Sequence, residues 1–184
     1  SYIEGPAFIG ENTIILPYSY LKKGTSIGPF CNISGELSQT IIQSWTNKSH
    51  YGYLGHSYIG EWVNLGAGTN CSNLKNNYSD IRVILNGSII NSKIKKLGCF
   101  IGDYTKTSIG TCLNTGTVIG PSCNIVTKNF PPKFLSPFTW FINDRSSKYK
   151  LDRFINTMEI IRKRKGMIFS NHEKSMIKNI YNDS

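Results

Sequence analysis

The chain has 184 residues, 39% of them hydrophobic, with 17 glycines, which suits a single globular domain and excludes a disordered or collagen-like polymer. Its 21 basic and 11 acidic residues leave a net charge of +10, which points to anionic partners or to plain solubility. The basic residues are scattered and no nucleic-acid reader motif occurs, so nucleic acid is not expected as a partner.

The first element is a repeat. Stepping by six from Ile3 gives Ile9, Ile15, Leu21, Ile27 and Ile33, all aliphatic. Two residues before the later members stand Ala7, Thr13, Ser19, Thr25 and Cys31, all small. A period of six fits neither an α-helix nor a simple half-exposed strand. It fits a hexapeptide parallel β-helix, in which each unit gives one short strand and one turn, and three units close a triangular coil of about 18 residues. The aliphatic points into the prism, and the small residue lets the corner turn.

The rhythm breaks over residues 34–58 and resumes, shifted by two, at Ile59, Leu65, Val83, Ile89, Ile101, Leu113, Ile119 and Ile125. A second break is "CSNLKNNYSD", residues 71–80, where polar residues replace the inward aliphatics. Polar groups are costly in a dry prism, so both breaks are expected to loop out or to line a surface where binding groups sit. Two of the three histidines, His50 and His56, fall in the first break.

The repeat is expected to end at residue 128, giving about seven coils. Residues 129–147, opening with "NFPPKFLSPFTWF", read as a Pro- and aromatic-rich connecting segment that covers a flank or end of the prism. Residues 148–184 read as a helical tail. Leu151, Phe154, Ile155, Met158 and Ile161 have helical spacing, and Gly166 is a stop. A second helix starts at Ser170 with Glu173 completing a capping box, and Met176, Ile177 and Ile180 form its apolar face. The cluster Arg162, Lys163, Arg164 and Lys165 is expected at a solvated helix end, where cations suit the dipole; contact with an anionic ligand is the alternative.

Five cysteines, with no C-x-x-C, indicate neither a zinc site nor a disulfide framework. Cys31, Cys99 and Cys123 lie on the small-residue grid and read as packing thiols in a reducing compartment. A three-histidine zinc site is not expected, since His172 lies in the tail, outside the prism. No apolar run approaches the roughly 18 residues of a membrane span, and "SYIEGPAFIG" lacks the layout of a secretory signal, so a cytoplasmic location without a membrane partner is expected. The sequence has no initiator Met, which leaves open a processed chain or a piece of a longer one.

The hexapeptide pattern resembles the left-handed parallel β-helix of the acyltransferase superfamily. The stretch "SHYGYLGHSYIGEWVNLGAGTNCSN" is similar to the acetyltransferase domain of the bifunctional glucosamine-1-phosphate acetyltransferase / N-acetylglucosamine-1-phosphate uridyltransferase family. The likeness rests on His50, Tyr53-Leu54-Gly55, Ile59-Gly60, the run Val63 to Thr69, and Asn73. With "GHSYIGEWVNLGAGT" and "FPPKF", the chain resembles still more the family's sugar-phosphate nucleotidyltransferase relatives. The resemblance implies acetyl transfer from acetyl-CoA to an amino sugar phosphate, in a homotrimer whose sites lie between adjacent prisms. It implies His50 as general base, Tyr53, Asn64 and Asn73 as substrate contacts, and Ala67, Gly68 and Asp103 on the cofactor side, with the backbone N–H near Ala67 and Gly68 as donor to the thioester oxyanion. His56 reads as a supporting or structural neighbour.

The family places phosphate-holding lysines about twelve residues before the His. Here "ELSQTIIQS" has none, and Lys48 and Lys75 are the candidates to replace them. The alternative function is a non-catalytic trimerising or regulatory β-helix of a sugar-1-phosphate nucleotidyltransferase. A structural solenoid that recruits a partner through the aromatic segment and basic tail is a third possibility.

Overall fold

The computed structural model describes residues 1–85 and 87–184. Short strands follow one another around a three-sided prism and pair in parallel with the coil before and after. The first face stacks Tyr2–Ile3, Tyr20–Leu21, Glu36–Ser38 and Tyr53–Gly55, and continues through Asn70–Cys71 and Cys112–Leu113. At that join the Tyr53 N–H donates to Asn70 Oδ1 (2.8 Å), a side chain standing in for a strand partner. The second face is a seven-stranded sheet from Ala7–Ile9 to Phe134–Leu135. The third runs from Ile14–Ile15 through Asn32–Ile33 and Asn47–Lys48, bridges at Asn64, and resumes at Lys106–Thr107 and Asn124–Val126.

The aliphatic grid is the core. Leu21, Ile27, Ile33, Leu54, Ile59, Ile101, Leu113 and Ile125 are fully buried, and Cys31, Cys71, Cys99 and Cys123 pack among them. Ile3 stays half exposed because no coil lies beneath it.

The register explains the shift of the grid. Coils pair residues 18 apart at the start, as Tyr2 with Tyr20 and Ala7 with Thr25. The next coil is short: Ser26 pairs with Ile41 and Asn32 with Asn47, 15 apart, and then Ile41 pairs with Tyr58, 17 apart. Together these two coils fall four residues short of the regular 18 apiece, which a six-residue grid reads as a shift of two. The first break is therefore shortened corners with pairing kept, and residues 34–58 do not loop out as expected.

The second break does leave the prism. Tyr58 pairs with Phe100, 42 residues on. The excursion between them carries an antiparallel hairpin, Arg82–Leu85 with Ser88–Asn91. Val83 and Ile89 belong to this hairpin, Ile89 being 69% exposed, so their place on the grid is coincidental. The hairpin packs over Gly116, where a Cβ would meet Ile81 Cγ2 at 2.7 Å and the φ of +67° also disfavours a side chain.

Parallel pairing passes residue 128. Phe134–Leu135 joins the second face beside Val118–Ile119, and Thr139–Ile142 joins the third beside Asn124–Val126. The prolines sit outside these strands, where no ladder N–H is needed. This adds strands in the stretch read as a connecting segment and brings the solenoid to about eight turns.

Helix α1 (Leu151–Arg164) and helix α2 (Asn171–Asn182) follow, and Ser170 and Glu173 form the capping box at the start of α2. Helix α1 lies along the corner between the second and third faces. That corner is turned by Phe30, Trp45, Trp62, Tyr104, Ser122 and Phe138, all at positive φ. Phe30, Trp45 and Trp62 stack with centroids 4.2 and 4.9 Å apart, both pairs 4° from parallel. Ser122 interrupts this aromatic column. Phe154 of α1 packs edge-on against Tyr104 on one side of that level and Phe138 on the other (5.8 and 5.4 Å). At about 1.5 Å per helical residue and about 4.8 Å per coil, the 14 residues of α1 run back over roughly four coils.

Arg162 departs from the expected solvated helix end. It is 6% exposed, lies over the Trp62 ring at 4.1 Å, and donates to Tyr104 Oη (3.0 Å) and Glu173 (2.7 Å). The planar guanidinium can stack and donate at once, which makes it the bolt of the tail. No helix among the described residues is long and apolar enough to cross a membrane.

Candidate active site

The residues singled out in the sequence lie on several faces of one chain. His50 is exposed on the corner between the third and first faces, and its carbonyl accepts from Lys48 Nζ (2.8 Å). Shortening at Ser34-Gly35 and the tight Gly52 turn set this corner. A Cβ on Gly35 would meet Gly52 O at 2.6 Å, and one on Gly52 would meet Thr69 O. Small residues are required because successive backbones nearly touch there.

Tyr53, Asn73 and His56 meet on the first face. Asn73 Nδ2 lies 2.9 Å from Tyr53 Oη and 2.8 Å from His56 Nδ1. With both amide hydrogens donated, His56 accepts at Nδ1 and carries its proton on Nε2. Burial, and then the nearby Lys96, lower the His56 pKa, which favours this neutral form. Burial, followed by the nearby Glu36 carboxylate, raises the Tyr53 pKa and keeps the phenol protonated. His56 has a φ of 52° and turns the corner itself. Its role in the trio is not readable from spacing: a histidine at a left-handed corner looks like any other break in the grid.

The two replacement lysines do not supply free charge. Lys48 faces inward and is 2% exposed. Its ammonium is held by Ser34 O (2.9 Å) and His50 O, and burial pushes its pKa down to about 8. It occupies an aliphatic's place because the shortened coil puts it in inward register beside Ile33. Lys75 is spent within the excursion, donating to Ser79 Oγ (3.2 Å) and Asp80 O (2.5 Å).

Among the cofactor-side candidates, the Gly68 N–H is already bonded to Tyr51 O (3.0 Å), an ordinary coil-to-coil bond, so it is no free oxyanion donor. Ala67 precedes it on the same corner as His50. Asp103 sits on a different corner, where Oδ1 accepts from the Glu61 N–H (2.8 Å) and so holds that turn.

Asn64 is exposed on the third face and faces a cleft of about 470 Å³ that spacing does not reveal. The sheet side of the cleft presents Asn32, Asn47, Asn64 and Lys106, and the other wall is the end of α1 with Arg164 and Lys165. Asn32 Nδ2 donates to Asn47 Oδ1 (2.8 Å), one rung of an amide ladder up the face. Ser49, next to His50, lines the same cleft. The sequence signal was the helical tail's basic cluster, but only the docking of α1 along the aromatic corner brings it to the asparagines.

No protein-family model matches the chain. It is 37% identical over 116 residues to the bifunctional sugar-1-phosphate nucleotidylyltransferase/acetyltransferase of Sulfurisphaera tokodaii, a match covering 63% of this chain and 28% of that protein. It is 33% identical over 114 residues to the bifunctional protein GlmU of Methanocaldococcus jannaschii, covering 62% and 27% respectively. The chain thus spans under a third of the length of these curated relatives, and over the matched stretch it is their homologue. Among solved structures it resembles a mutant of AntD, an N-acyltransferase from Bacillus cereus, in complex with dTDP-4-amino-4,6-dideoxyglucose and coenzyme A. The TM-score is 0.52 at 13% identity, over 86% of this chain and 90% of that one. The fold is the left-handed parallel β-helix, which the chain shares with that N-acyltransferase.

Proposed function

We propose that the chain is an acetyl-CoA-dependent N-acetyltransferase module acting on an amino sugar phosphate, the acetyltransferase part of a sugar nucleotidyltransferase. The observation that carries this reading is the 37% identity over 116 residues to a bifunctional nucleotidylyltransferase/acetyltransferase. In the reaction the sugar amine attacks the thioester carbonyl and forms the C–N bond. His50 Nε2 or Nδ1 takes the proton the amine loses, and returns it to the coenzyme A sulfur as the C–S bond breaks. Imidazole is the side chain suited to taking up and releasing a proton near neutral pH.

The remaining roles follow from what each side chain has free. Tyr53 Oη accepts from Asn73 and keeps its own hydrogen for a substrate oxygen. Asn73 spends both amide hydrogens on Tyr53 and His56 and so positions them, keeping its carbonyl oxygen for a substrate donor, while Asn64 offers its whole amide. The Ala67 N–H is the oxyanion donor that remains near His50. Within one chain these groups occupy neighbouring faces and corners, which supports a homotrimer with the site closed by a second prism. Exposed Phe8, Ile41, Tyr58 and Phe100 on the second face supply apolar surface for such packing. The free cysteines and the absence of a membrane-length helix among the described residues support a cytoplasmic location.

His50→Ala tests the base. Its exposed ring leaves folding intact, and kcat for acetyl transfer should fall at least about 100-fold. Wild-type turnover in that variant removes His50 from the mechanism. The second reading, a non-catalytic trimerising or regulatory domain, is favoured by the buried Lys48 and the committed Lys75. It predicts an assembled protein with no turnover on any amino sugar phosphate.

A further inference from the structure

We propose that the cleft between the third face and the end of α1 binds a phosphorylated sugar, with Lys106, Arg164 and Lys165 taking the phosphate and Asn47 and Asn64 the sugar hydroxyls. This rests on the acyltransferase reading for the identity of the sugar and replaces the phosphate lysines that Lys48 and Lys75 do not provide.

Charge is the first observation. Three cations line the cleft and no carboxylate does. None of the three forms a salt bridge among the described residues, whereas Arg162, two residues before Arg164, is paired with Glu173. Lys106 is half-buried, with only Tyr104 O near its ammonium (3.5 Å). A desolvated cation without a counter-charge is unfavourable, and an anion in the cleft removes that penalty. The negative end of the α1 dipole opposes such an anion, but it acts as only about half a unit charge at the site of two full ones on Arg164 and Lys165.

The second observation selects the rest of the ligand. The Trp45 ring is covered by Phe30 on one face and Trp62 on the other, so it offers the cleft its edge. A nucleobase would find no ring to stack on. Amides are what remains. Asn47 retains its amide nitrogen, since only its oxygen is used by Asn32, and Asn64 retains both ends. Donors and acceptors in a row match the alternating hydroxyls of a pyranose. The volume of about 470 Å³ accommodates a sugar phosphate. A phosphate at the helix end and a sugar across the amides direct the far side of the ring to Ser49 and the adjacent His50.

N-acetylglucosamine-1-phosphate, N-acetylglucosamine and inorganic phosphate are titrated into the full chain by calorimetry, without acetyl-CoA. The sugar phosphate should bind saturably and more tightly than either fragment. Arg164→Gln/Lys165→Gln, both exposed and outside the core, should weaken it at least about 10-fold and leave the unphosphorylated sugar unchanged. Asn64→Ala should weaken both sugars. Wild-type affinity in the double variant, equal affinity for phosphate and sugar phosphate, or no saturable binding would each overturn the proposal. Acetyl transfer is measured on the same proteins. Binding without turnover overturns the acyltransferase reading and leaves the cleft standing, while turnover with an unchanged KM in the double variant does the reverse.

Discussion

Two lysines, Lys48 and Lys106, sit where an amine resists protonation. Burial pushes both down to about 8 from an ordinary 10.5. A lowered cationic pKa means the unfolded chain binds more protons between those values, so stability rises with pH across that window. Below about pH 8 the cost is complete, of order 3 kcal/mol for Lys48, whose side chain is almost wholly enclosed. Lys48→Met removes the titrating group while keeping the bulk inside the prism. Urea unfolding at about pH 7.5 and about pH 9.5 should show the stability difference between wild type and variant shifting in favour of the wild type on the alkaline side. An equal change in both would mean that Lys48 is hydrated. Lys106 adds a further share, which a bound anion should abolish, while burial holds the Cys31 and Cys123 thiols up and gives an opposing slope common to both proteins.

Besides Arg162, a gap in the prism keys the tail to it. Ser122 breaks the aromatic column of the second-to-third corner, and Phe154 fills that level between Tyr104 and Phe138. Phe154→Ala leaves the solenoid ladder untouched but empties a fully buried site, a loss of about 3–5 kcal/mol. The loss falls on α1 and α2, so amide exchange in Leu151–Arg164 should accelerate while the strand amides stay protected. Uniform loss of protection would show that tail and prism unfold as one.

The period of six made the prism and its core residues legible, and the Ser170–Glu173 spacing made the capping box legible, because each follows from local spacing. The short coil was not legible. Deleting corner residues keeps strand pairing and alters only phase, so residues 34–58 read as a break that loops out or lines a surface, and Lys48 reads as a candidate phosphate ligand. Val83 and Ile89 kept phase by accident in a hairpin. The cleft was hidden for another reason: Asn32, Asn47, Asn64 and Arg164 meet only through coil stacking and the docking of α1, which no linear window contains.

At the scale of the whole molecule, the candidate groups of one chain are spread over a three-sided prism, and the proposed homotrimer would close the site by setting faces of neighbours together. Tyr58 stands outward on the second face between Ile41 and Phe100. Tyr58→Arg places three like charges in such an assembly. Sedimentation should show a trimer for the wild type and a smaller species for the variant; a wild-type monomer would remove the shared site. A net charge of +10 adds an attraction for phosphorylated substrates that rising salt should weaken.

The central claim is acetyl transfer to an amino sugar phosphate, and release of free coenzyme A thiol reads it directly. The wild-type chain, given acetyl-CoA and glucosamine-1-phosphate, should release thiol in step with N-acetylated product and far above the rate without acceptor. No acceptor-dependent release with glucosamine-1-phosphate or any other amino sugar phosphate, from protein shown to be folded and assembled, would contradict it.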